Sequence, residues 1–144
     1  MGLNRVAMAV VFAHLGVLLV HTAAHVALAI LPQALDLIFI LAVMYLLPLA
    51  SVAFLRQGRM VGWVYLFAFA ASFVYGALSH FAMAGPDYAF GLPAGVWALV
   101  FQGTTIALAV FEALGISVGV ALVARLRTPS GPAEPPGRSE PRVP

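Results

Sequence analysis

The chain has no cysteine and no lysine. The first absence excludes disulfides, thiolate nucleophiles, iron–sulfur clusters and Cys-ligated zinc. The second makes all seven basic residues arginine. Charge of either sign is scarce, at 8% of residues, where soluble chains carry roughly 25%. There is no phosphate loop, no dinucleotide fingerprint and no Ser-His-Asp constellation with readable spacing. The few arginines lie at one face of the expected topology, so nucleic acid is not indicated as a partner.

What is abundant is apolar surface. The chain is 63% hydrophobic with a mean hydropathy of +1.05. A single domain of 144 residues has too little interior to hide that much from water. Lipid must solvate much of it, which makes the chain an integral membrane protein whose first partner is the bilayer. Four apolar runs predict helices at about 6–31, 34–55, 61–84 and 96–124, each long enough for a hydrocarbon layer of roughly 30 Å. The expected fold is an all-α, four-helix transmembrane bundle, up-down-up-down, over residues 1–127. Pro48 should kink the second helix. Ala27-Leu28-Ala29 fits a signal-peptide cleavage pattern, but the run before it exceeds the usual ~7–15 residues of a signal core, so a retained helix is expected. Residues 128–144 hold six prolines among Arg, Glu, Ser and Gly. They read as a disordered cytoplasmic tail.

Arginine placement sets the orientation. Arg5, Arg56, Arg59, Arg125, Arg127, Arg138 and Arg142 fall on one side of a four-span topology, and none falls on the other. The positive-inside rule puts both termini in the cytoplasm, which gives a multi-pass protein of the cell (inner) membrane.

The polar groups inside the spans are few. His14, His21 and His25, at spacings of seven and four, project from nearly one line of the first helix. The third helix steps Ala68, Ser72, Gly76 and His80 along one face, and the fourth carries Gln102, Thr105, Ala109, Glu112 and Gly119. At a rise of ~1.5 Å per residue, His25, Asp36, His80 and Gln102 come out roughly 10–13 Å beyond their helix midpoints toward the outside. A deeper layer is expected to pair His21 with Glu112. An ionisable group in hydrocarbon costs a few kcal/mol, so it is expected to face the bundle interior and to mark function.

Tyr75-Gly76, Ser79-His80-Phe81, Gly85-Pro86-Asp87, Leu92-Pro93, Trp97, Phe101-Gln102 and Glu112-Ala113-Leu114-Gly115 together resemble a group of uncharacterised small four-span prokaryotic membrane proteins. The resemblance implies the architecture and no activity. In that group a histidine or asparagine often follows the Pro-Asp pair, where this chain has Tyr88.

Four functions fit these residues. The chain is a non-catalytic accessory or scaffold protein whose buried His/Asp/Glu layer joins helices, within a larger membrane complex or a homo-oligomer. Or it binds a transition metal through His25, His80 and Asp36 or Glu112. Or it relays protons or a small solute through His14, His21, His25 and Glu112. Or it carries b-type haem between His25 and His80 for electron transfer.

Overall fold

The computed structural model describes residues 2–55 and 59–125. The expected Pro-rich tail, Arg56, Arg127, Arg138 and Arg142 lie outside the described residues, as does the side chain of Arg59. Four helices account for most of the rest: α1 (Leu3–Ala27), α2 (Ala34–Ala53), α3 (Met60–Ala82) and α4 (Val96–Arg125). There is no strand among the described residues. All four helices are long and apolar enough to cross a membrane. Large apolar side chains such as Phe12, Leu41, Phe67 and Ile106 stand exposed on every one of them. Such a surface is stable in acyl chains and not in water. The chain reads as a multi-span membrane protein.

The core explains the order of the helices. α4 packs along both α1 and α3, and α2 leans mainly on α3. Ala7, Val11, Leu15, Leu18, Tyr65, Phe69 and Leu108 fill the centre. Close approach of α3 to α4 depends on two glycines one turn apart. A Cβ on Gly115 would overlap the ring of Phe69, and one on Gly119 would lie 2.9 Å from the Leu66 Cα. Small residues let two backbones approach in this way where no hydrophobic force joins helices in lipid.

Two local departures from the expected helices shape the polar interior. α1 ends at Ala27, four residues before the apolar run does. The Ala29 amide bonds to the Val26 carbonyl at 3.1 Å and the Ile30 amide to the His25 carbonyl at 3.0 Å. Ala29 has φ 55°. This is a Schellman closure with alanine where glycine is usual. In α2 the turn before Pro48 is widened: Ile40–Leu46 is π-helical, and the Leu47 amide reaches back to the Ala42 carbonyl. Pro48 has no N–H and its ring crowds the carbonyl four residues earlier, and the wider turn relieves both. The start of α2 then stands off the bundle, with no buried residue in Ala34–Phe39.

Candidate metal centre

The first helix brings His21 and His25 to one face, a single turn apart. His80 reaches them from α3, where Leu78–Ala82 forms a π turn, a feature common at functional sites. One nitrogen from each of the three imidazoles lies within 4.8 Å of the others. The ring centroids are 4.7 Å apart for His21–His25, 5.1 Å for His21–His80 and 5.8 Å for His25–His80.

The outer hydrogen bonds fix which nitrogen each ring offers. His25 donates its Nδ1–H to the Ile30 carbonyl at 3.0 Å, and His80 donates Nδ1–H to the Asp87 carbonyl at 2.9 Å. A carbonyl only accepts, so both rings carry their proton on Nδ1. His21 Nδ1 lies 2.9 Å from Thr104 Oγ1. That hydroxyl already donates its hydrogen to the carbonyls of Val100 and Phe101, at 2.7 and 3.0 Å. With its hydrogen engaged there, it accepts from His21 Nδ1–H. All three neutral rings therefore hold an unprotonated Nε2, and the His21 and His25 Nε2 atoms stand 3.2 Å apart. In that set of tautomers two lone pairs face each other and repel unless a proton or a metal ion lies between them. In tetrahedral coordination at 2.0–2.1 Å, neighbouring ligand nitrogens are about 3.3 Å apart.

Phe101, fully buried, packs against all three rings at centroid distances of 4.7, 4.8 and 5.3 Å. On another side the three imidazoles line a cavity of about 450 Å³ that α2 leaves by standing off the bundle. Its walls are mostly apolar, with Tyr45, Tyr75, Thr105 and Glu112 among the polar exceptions.

The expected site residues divide between places. His25 and His80 come together. Asp36 is not in their group and interacts with the Tyr75 hydroxyl. Glu112 is not in it either: its Oε1 lies 3.5 Å from His14 Nε2. The expected pairing of His21 with Glu112 is thus replaced by His14–Glu112, and His21 joins the other two imidazoles. His14 and Glu112 are almost fully buried. Both His14 ring nitrogens, Glu112 Oε1 and Ser72 Oγ lack a hydrogen-bond partner there. Gln102, expected in the outer polar layer, donates to the Ala89 carbonyl at 2.8 Å and ties α4 to the loop after α3. Sequence reasoning missed Thr104 and the carbonyls of Ile30 and Asp87. It also gave His21 to the relay, although the four-residue step from His21 to His25 is the spacing at which two helical histidines share one ion. Compared with protein-family models, curated proteins and solved structures, the chain has no match, so geometry alone speaks for what this site does.

Proposed function

We propose that this chain is a membrane-embedded metalloprotein holding one transition-metal ion on Nε2 of His21, His25 and His80. The observation that carries this reading is the outer hydrogen bond on each Nδ1. Metal-ligating histidines are oriented and made more basic by such a bond, and their ion sits on the opposite nitrogen. Imidazole ligands suit zinc, iron, copper(II) and nickel. Three protein ligands leave a coordination position open toward the cavity, which is the pattern of a reactive centre and not of a closed structural one.

Two competing readings are less well supported. Imidazoles that only tied helices together would use the 3.2 Å His21–His25 contact as a hydrogen bond. That takes the other His21 tautomer and turns the Thr104 hydroxyl away from the Val100 carbonyl, 2.7 Å off, toward His21 Nδ1. A haem iron between His25 and His80 would put the porphyrin plane across His21, whose ring centroid lies 4.7 and 5.1 Å from theirs. The clustering of arginine at the opposite end of the bundle supports placing the three histidines in the non-cytoplasmic half.

The test is elemental analysis of protein purified without added chelator, alongside His21→Ala, His25→Ala and His80→Ala. About one equivalent of metal is expected in the parent and little in each variant. Metal-free parent protein that also takes up no zinc, copper or iron on titration would remove the proposal. An absorption spectrum without a Soret band checks against haem. Orientation is open to a simple assay, because the chain has no cysteine of its own. A thiol introduced as Gln33→Cys should react with an impermeant reagent added to whole cells.

A further inference from the structure

The cavity beside the triad has three properties that together specify an occupant. Its volume, about 450 Å³, lies within the range of small-molecule sites. It opens sideways: Val26, Leu31 and Leu41 line it and are also exposed, between the end of α1 and the first half of α2. Those residues lie in segments long and apolar enough to span the bilayer, or directly beside them, so the mouth meets acyl chains. Its charge is also selective. Among the described residues no arginine lines it, and its acidic groups are Asp87 and Glu112. Without a metal ion, a phosphate or carboxylate head would find no cationic side chain there and two carboxyl groups nearby.

A hydroxyl head meets the opposite situation. Glu112 on the cavity wall turns Oε1 to His14 and places Oε2 on the side of Gly76, which also lines the cavity, and there a hydroxyl in the cavity can donate to it. The open position on the three imidazoles takes an oxygen ligand. We infer that this cavity binds an uncharged, hydroxyl-headed amphiphile drawn from the bilayer, such as a long-chain alcohol or a quinol. The tail lies between α1 and α2. The head donates to Glu112 and turns its oxygen to the ion on His21, His25 and His80. Only this last contact rests on the metal reading, and the rest stands on the cavity itself.

The experiment uses the full chain in detergent, first metal-free and then loaded with zinc, with 1-tetradecanol and tetradecanoate as probes of matched tail length, read by native mass spectrometry. In the metal-free protein one tetradecanol per chain is expected, with tetradecanoate bound at least about tenfold more weakly. Leu41→Trp narrows the mouth at an exposed position and Ala109→Phe fills the interior. Each should weaken tetradecanol binding about tenfold or more while zinc content stays at the parent level. Loading zinc should strengthen tetradecanol binding. Equal binding of alcohol and carboxylate to the metal-free protein, or unchanged binding in both variants, overturns the inference. Binding indifferent to zinc overturns the contact between head and ion. Protein that binds tetradecanol but never takes up zinc sinks the metal proposal and leaves the cavity assignment standing.

Discussion

Thr104→Val tests the metal centre without touching a ligand. Valine matches threonine in shape and removes only the oxygen that accepts from His21 Nδ1. The carbonyls of Val100 and Phe101, to which Thr104 also donates, keep their place in the helix ladder, so the backbone loses little. Two outcomes are open to the His21 ring. It keeps its proton on Nδ1 facing a methyl group, or it moves the proton to Nε2 and ceases to be a ligand. The first loses an outer-shell bond, worth 10- to 100-fold in metal affinity, or about 1.4–2.7 kcal/mol. The second approaches the loss of a whole ligand. A four-ligand zinc site worth roughly 10–16 kcal/mol assigns about 2.5–4 kcal/mol to each, or two to three orders of magnitude. Zinc affinity, measured by competition with a chromophoric chelator in detergent, should therefore fall by about one to two orders of magnitude in Thr104→Val. Thr104→Ser should stay within a few-fold of the parent, and His80→Ala should fall furthest. A Thr104→Val protein with parental affinity beside a zinc-free His80→Ala protein would refute the assignment of protons on which the convergence of the three Nε2 atoms depends.

Three further outcomes concern the scaffold. Ala29→Gly should raise stability by about 0.5–1 kcal/mol, because glycine takes the left-handed closing position of α1 without a Cβ penalty; denaturant unfolding in mixed micelles would read the gain, and a loss would count against the closure. Gly119→Ala should cost about 1–3 kcal/mol, since the added methyl meets the Leu66 backbone and no rotamer relieves it. Gly16→Ala, with open space around its Cβ, should be neutral or stabilising and serves as the control. For His14 and Glu112, 3.5 Å apart and buried, replacing either with leucine should destabilise more than replacing both. The coupling is expected at about 1–3 kcal/mol, because each single change strands a polar group in the core. Additive costs in that double-mutant cycle would mean that the two do not interact.

The spans and their number were legible in the sequence because a bilayer imposes a one-dimensional rule. About 20 consecutive apolar residues cross it, and Pro32 and the Gly85–Gly95 stretch mark where the chain turns. Depth follows from the same rule, and depth alone put His25 and His80 at one level. The inward faces of α1, α3 and α4 were legible from their few polar groups, since His14, His21, Ser72, His80, Thr105 and Glu112 are all buried. Which of those groups meet was not legible, because the helices are otherwise apolar nearly all round and hydropathy does not fix the exact rotation of one against the next. Packing decided that: Gly115 and Gly119 seat α4 on α3, and with that rotation Glu112 meets His14 while His21 turns to His25 and His80. The Schellman closure at Ala29 and the π turn at His80 lie inside or beside runs whose hydropathy continues without a break. Only the folded backbone brings the carbonyls of Ile30 and Asp87 under two of the imidazoles, since a main-chain acceptor carries no signature in residue type. Sequence by itself determined the solvent, the spans and the store of histidines. Tertiary structure decided which nitrogens face one another, because that depends on helix rotation and backbone closure, which hydropathy does not encode.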